Sequence, residues 1–406
     1  MPILFLVIFV VMGSFAMLLP SIMFVLKNLG ANEAWATPIL ASYSFAQFLT
    51  GPYWGKVSDR WGRKPVLICG LILAACAYGF IAVWADSVLH MHMSLVLAGA
   101  CAGNSAVLYA AVTDITGREG RAKGMGIMGA GVGLAFTIGP AIGAMLSGVS
   151  AEAADITAPA TVSALACLAG ACIVVIWFKE TLQRESDGAP ETHAGRIAAF
   201  LKVSAKPALM QLAVAMCFFT LALSMMEAIM SYLMNARLGW GPKDLGIMFS
   251  YFGVILIVVQ GGLVGRLARR FGEERLALAG VSMMGVGLAV IALSMSTAGV
   301  FVGLGFISAG TGIYNTSVLA VGSYHSGKLG RGLTMGVFQS MQALGRSVGP
   351  LIVGLLYVAQ HELPLFVGCA VMVVLFAWLL VIFRRLQVGV AARDTMLTSQ
   401  SDAQSS

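Results

Sequence analysis

The stretch that decides the fold is GPYWGKVSDRWGRKPVLICG, Gly51–Gly70. It joins two apolar runs, each long enough to cross a bilayer. It packs Lys56, Asp59, Arg60, Arg63 and Lys64 into nine residues, between glycines at 51, 55, 62 and 70. So much charge between two hydrophobic spans belongs at a tight cytoplasmic turn. An excess of Lys and Arg marks the inside face, and glycine lets helices approach closely and the chain reverse. The spacing returns in GGLVGRLARRFGEERLALAG, where Gly261, Gly265, Arg270, Gly272 and Gly280 stand 210 residues after Gly51, Gly55, Arg60, Gly62 and Gly70. One half of the chain repeats the other.

Composition agrees. Of 406 residues, 59% are hydrophobic and 11% charged, where a soluble domain carries roughly a quarter charged; the mean hydropathy is +0.88. The net charge of +7 is not a nucleic-acid footprint, because most Lys and Arg gather on one side of the membrane, the asymmetry that fixes topology. The seven cysteines fall inside apolar spans with no C-x-x-C. They read as packing residues, neither disulfides nor metal ligands, and no cofactor is expected. The apolar N-terminus lacks the features of a cleaved signal and reads as a first membrane helix.

A spanning helix needs about 20 apolar residues, and that ruler gives twelve spans. They are Leu4–Leu26, Trp35–Trp54, Val66–Ala85, Ser94–Thr113, Gly124–Val149 and Ala160–Phe178, then Leu209–Met234, Leu245–Gly265, Leu276–Met295, Ala298–Ser323, Leu333–Val358 and Leu363–Phe383. A second repeated element supports the plan: Gly126, Gly139 and Pro140 precede Gly336, Gly349 and Pro350 by 210 residues, as Arg121 precedes Arg331. The predicted fold is an all-α membrane protein, twelve transmembrane helices in two six-helix halves related by a parallel repeat. The expected parts are a first bundle over 1–178, a solvated cytoplasmic linker over 179–206, a second bundle over 207–385 and a disordered cytoplasmic tail over 386–406. Both termini then lie in the cytoplasm.

GKVSDRWGRKP resembles the loop between the second and third helices of the major facilitator superfamily, a G-x-x-x-D-R-x-G-R-[RK] pattern carried here by Gly55, Asp59, Arg60, Gly62 and Arg63. The fifth span, GIMGAGVGLAFTIGPAIGAML, resembles the element G-x8-G-x3-G-P-x2-G-G of the antiporter branches through Gly126, Gly139, Pro140 and Gly143, with Ala135 and Ala144 at two of its glycines. A dinucleotide loop is excluded for GAGVG, because no βα unit surrounds it. The resemblance implies a substrate site between the halves near mid-membrane. It also implies a gating cluster of Asp59, Arg63 and Asp114 at the rim, among Arg60, Arg118 and Arg121. The cavity would draw on helices one, four, seven and ten.

Charges inside spans are costly and mark function. Glu227 lies in the seventh span and Arg346 in the eleventh; their repeat partners are Met17 and Phe136. Two readings stand: a static ion pair, or Glu227 as a protonation or cation site with Arg346 as its modulator or an anion-binding group. Candidate polar liners are Asn104, Ser105, Tyr109, Tyr314, Asn315, Thr316, Gln339 and Gln342, with Phe218, Phe219, Met225 and Met226 as soft apolar wall. Such a wall suits an amphipathic organic molecule. The expectation is a secondary transporter of the inner membrane, working by alternating access as a proton-coupled exporter of the multidrug or tetracycline-like kind. The first span carries no acid, and Leu95 stands where drug antiporters often have arginine, which favours an alternative: a proton-coupled transporter dedicated to one metabolite, such as a vitamin or siderophore. No metal-ligand cluster, nucleophile elbow or phosphate loop suggests an enzyme. The expected partners are a small organic substrate, protons and membrane lipid, with no nucleic acid, and the expected state is a monomer.

Overall fold

The computed structural model describes residues 1–116, 121–182, 203–326 and 331–404; within these, side chains are described except at 33–35, 52, 121–123, 125, 331–333 and 386–404. In the first half of the chain, α1 is Pro2–Asn28, α2 Glu33–Trp61, α3 Arg63–Trp84, α4 Val88–Ala102, α5 Ser105–Ile115, α6 Arg121–Leu146 and α7 Thr157–Trp177. In the second, α8 is Pro207–Leu238, α9 Pro242–Val258, α10 Val264–Phe271, α11 Glu273–Leu293, α12 Thr297–His325, α13 Arg331–Ala359 and α14 Leu363–Gln404. The described residues contain no strand. Only helices satisfy every backbone amide within their own segment, which is what hydrocarbon demands.

Eleven helices among the described residues are long and apolar enough to span a membrane; α4 and α5 act as one span, as do α9 and α10. The remaining long helix, α2, has 29 residues. It carries Lys56, Asp59 and Arg60 in its last two turns, which lower its apolar average. It stands where the twelve-span plan expects its second span.

Helix neighbours repeat between the halves. In the first, α1 packs on α6 and α7, α3 on α7 and α4, and α2 on α4; in the second, α8 packs on α13 and α14, α11 on α14 and α12, and α9 on α12. Two further pairs, α6 with α9 and α2 with α13, join the sets. The core is a continuous layer of buried aliphatic, Met and aromatic side chains running through both.

Three local features depart from uniform helices. The fourth span breaks at Gly103–Asn104 into α4 and α5. The eighth carries a π-turn at Val259–Leu263, sequence VQGGL, between α9 and α10. And α14 runs on to Gln404, through the stretch expected as a disordered tail, since no proline follows Pro364 to stop it. Most of the expected linker, 183–202, lies outside the described residues, as do 117–120 with Arg118 and the side chain of Arg121.

Candidate functional site: a buried carboxylate and a charged rim cluster

At one end of the molecule Gly62 turns the chain from α2 into α3. Its φ of +105° is unstrained only for glycine, and a Cβ there would meet the Glu180 carboxylate. The turn folds Arg63 back on α2. Its Nε donates to Asp114 Oδ2 at 2.9 Å, and its Nη1 donates to Ser58 Oγ at 2.6 Å and to Asp59 Oδ1. Arg63 is 6% exposed, so two carboxylates and a hydroxyl take the place of its water, as a buried cation requires. Gly55 accepts Ser58 Oγ through its carbonyl at 2.8 Å, holding that hydroxyl in place, while Arg60 points outward and is exposed.

Sequence reasoning missed Glu180, just beyond α7. Its carboxylate accepts from the backbone N–H of Arg63 at 2.8 Å and of Lys64, Thr181 and Leu182 at 3.0 Å each. The first amides of a helix lack intrahelical partners and carry the positive end of its dipole, so Glu180 caps α3 from outside. Partial burial pushes its carboxyl up, but the amides of Leu182, Arg63, Lys64 and Thr181 outweigh that and hold it below the usual range. Thr181 Oγ1 adds a donation to Asp114 Oδ2 at 3.4 Å. The one available signal was an acid directly after the sixth span, on the side of the charged turn.

Deeper in the molecule, Glu227 on α8 is walled by Phe136 of α6, Met226, Phe249 and Phe252 of α9, and Leu304 of α12. The Arg346 guanidinium on α13 lies 6.0 Å from the Phe136 ring centroid, the outer reach of a cation–π contact. Arg346 acts electrostatically on Glu227, Tyr43 and Tyr109. The ion pairs among the described residues are Arg63–Asp59, Arg63–Asp114, His90–Asp86 and Arg237–Glu362; Glu227 and Arg346 are near each other and unbonded. Phe136 and Arg346 are also repeat partners, 210 residues apart, and partners related by a two-fold meet only beside its axis. Each precedes a proline by four residues, Pro140 and Pro350, so each loses the amide that would bond its carbonyl and lets its helix bend there.

The other expected liners divide. Gln342 Nε2 donates to Asn315 Oδ1 at 3.1 Å, tying α13 to α12; Gln339 is exposed and Tyr109 half-buried. Tyr314 is fully buried, its ring stacked on Phe219 at 4.0 Å. Asn104, expected beside the pathway, turns inside the first helix set. It is 2% exposed, seated on Gly70, and its Nδ2 donates to Leu67 O at 3.3 Å. The break at Gly103–Asn104 also frees carbonyls, which α2 satisfies. Trp54 Nε1 and Thr50 Oγ1 donate to Ala100 O at 2.7 and 2.8 Å, and Gln47 Nε2 donates to Ala102 O at 3.4 Å. Backbone freed in a span must find such partners.

The glycine-proline element works on two neighbours at once. Gly139 and Gly143 press α6 onto α1: a Cβ on Gly139 would come 2.8 Å from Ala16 Cβ, and one on Gly143 would overlap the Met17 carbonyl. The next face meets α9, with Gly246 against Ala144 and the Pro140 carbonyl, Gly253 against Thr137, and Gly241, just before α9, against Val149 and Ser150. This seam ends at Gly133, where a Cβ would touch Ile257 at 3.6 Å; beyond it, Gly126 and Gly129 on one side and Gly261, Gly262 and Gly265 on the other face open space. The π-turn begins two residues after Ile257 and is the kind of irregularity that redirects a helix. α6 and α9 are thus closed at the end away from the charged turns and part toward it. Glu227 lies beside the closed part of the seam, its pocket lined by Phe136 and Phe252, the chain neighbours of Thr137 and Gly253.

These features describe a membrane protein built from two repeated sets of helices. The profile of the Major Facilitator Superfamily matches residues 4–350 and again 212–398, and the chain belongs to that family. Tetracycline resistance protein, class B, of Escherichia coli is 27% identical over 81% of this chain and 80% of its own length. Class G of Vibrio anguillarum is 30% identical, over 79% and 80%. Multidrug resistance protein 2 of Bacillus subtilis (strain 168) is 26% identical, over 91% and 90%. Among solved structures, the human organic anion transporter MFSD10 (TETRAN) superposes with a TM-score of 0.71 at 21% identity, covering 93% of this chain and 98% of that one. The nucleoside transporter NupG reaches 0.74 at 13% identity, covering 94% and 98%. At these identities the two structures speak for the fold alone.

Proposed function

We propose that this transporter exports amphipathic organic compounds in exchange for protons, by alternating access between two six-helix halves, in the inner membrane with both termini cytoplasmic. The observation that carries the reading is Glu227: an acid walled by Phe136, Phe249, Phe252, Met226 and Leu304, unbonded, with Arg346 nearby. An apolar site favours the protonated carboxyl and a neighbouring cation favours the carboxylate. Moving the two apart as the halves rock therefore loads and releases a proton. The relatives named for tetracycline and multidrug resistance support export of drug-like molecules. Asp59, Arg63 and Asp114 serve as the gate, with Glu180 anchoring the backbone of Arg63, and of the antiporter-type residues Gly139, Pro140 and Gly143 give α6 its close, bendable seat while Gly126 faces the open end.

A second reading, a proton-coupled carrier dedicated to one metabolite, is favoured by the uncharged run of α1 before Lys27. Accumulation of a labelled compound panel in cells with and without the gene, each with and without a proton uncoupler, separates the two. Export of several unrelated compounds that collapses with uncoupler supports the first; movement of one compound supports the second; no uncoupler effect excludes proton coupling. Glu227→Gln is expected to keep substrate binding and downhill exchange and to lose uphill transport. Full pH-driven transport by that variant removes Glu227 from the proton route.

A further inference from the structure

The two copies of the charged turn are built to opposite ends. In the first, the acids and Arg63 satisfy one another. In the second, 210 residues on, Asp59 is replaced by Arg269, Arg63 by Glu273 and Asp114 by Tyr324, so every member of the network has changed its chemistry. Arg266, Arg269, Arg270 and Arg275 are all exposed and belong to none of the ion pairs among the described residues. Arg270 only overlies the ring of Phe271, at 5.4 Å. Phe271 and Tyr324 are 45% and 83% exposed. Glu273 and Glu274 open α11 beside them and leave the turn with a surplus of positive charge.

This turn joins two spans, so it lies where hydrocarbon gives way to lipid headgroups. Arginine forks match phosphate oxygens in two-point contacts, aromatic rings settle at headgroup level, and basic residues near an anionic leaflet are drawn to it. We propose that the second turn, through Arg266, Arg269 and Arg270 with Phe271 as its apolar foot, is a binding site for the headgroup of an anionic phospholipid. The first turn holds the intramolecular gate; the second, its charges released from that task, fastens the other half to the bilayer.

The test uses the full chain, purified and delipidated in neutral detergent, with thermal unfolding followed as phosphatidylglycerol, phosphatidylcholine or inorganic phosphate is added back. Phosphatidylglycerol is expected to raise the melting temperature of the wild type, while phosphatidylcholine and phosphate leave it unmoved. In R266Q/R269Q/R270Q the half-effective phosphatidylglycerol concentration is expected to rise tenfold or more, whereas R384Q/R385Q, which removes two exposed charges at the end of the last span, leaves it within twofold. Should the triple variant fail to fold, R266K/R269K/R270K, which keeps the charge and loses the fork, is expected to show an intermediate shift. An equal loss in R384Q/R385Q would show charge attraction without a site and overturn the proposal. So would a response to phosphate alone, or a wild type indifferent to lipid charge because another segment of the chain covers the patch.

Discussion

Asp59 and Glu180 hold the same arginine in different ways, and their removal separates the gate from its scaffold. Asp59 bonds the Arg63 guanidinium directly, while Glu180 bonds the backbone amide of Arg63, with those of Lys64, Thr181 and Leu182, and leaves the guanidinium alone. Asp59→Asn removes a charge from a buried cation and is expected to slow transport severely with membrane expression intact; normal transport would reduce Asp59 to a rim charge. Glu180→Ala removes a helix cap, a loss of about 1 kcal/mol, and should lower thermal stability while slowing transport only a few-fold. Equal transport defects in both would place Glu180 in the gate itself. Acidification provides a further check. Glu362, in the loop before α14, is held below the usual range chiefly by the hydrogen bond from Arg237, and Glu180 likewise by its amides. A carboxyl whose pKa is depressed in the folded state contributes stability that is fully present above its unfolded pKa and lost as pH falls through the folded one. Thermal stability should therefore decline below about pH 4.3, and less steeply in a Glu180→Gln, Glu362→Gln double variant; an unchanged profile would dismiss both groups.

Among the elements, the α6–α9 seam decides which end is closed. Gly246 and Gly253 lie seven residues apart on α9, and each lets α6 come into backbone contact. Leucine at Gly246 would collide with Ala144 and the Pro140 carbonyl, and overpacking of this kind costs about 1–3 kcal/mol. Since a population shifts by the difference in free energy between states, Gly246→Leu is expected to open the sealed end by roughly five- to a hundred-and-fifty-fold in equilibrium. Spin labels on cysteines at the exposed residues Val149 and Lys243, which flank the contact of Gly241 with Val149, read this out; an unchanged distance between them would mean that the seam does not set the balance. Gly265→Leu faces open space and serves as the control.

Across the whole molecule, the twelve-span plan puts the 179–206 linker and the C-terminus on one side. Reporter tags at both are expected to report cytoplasm, and a periplasmic signal at either would sink the plan.

The repeat at 210 residues, the charged turn and the length of the apolar runs were enough to specify an all-helical facilitator-type transporter, because membrane thickness and positive-inside bias act on local composition. The cluster of Asp59, Arg63 and Asp114 was legible through its motif. What only the tertiary structure decided was direction and partnership. Asn104, polar and at the right depth, turned inward, where Gly70 of α3 leaves room for its side chain and the Leu67 carbonyl accepts its amide. Glu180 became a cap because α3 begins where α7 ends. Glu227 and Arg346 stand near and unbonded although α8 and α13 pack directly together, with Phe136 of α6 lining the pocket of the one and lying 6.0 Å from the guanidinium of the other. Such outcomes depend on which faces of distant helices meet, and hydropathy, which reads each span against lipid, carries no record of that.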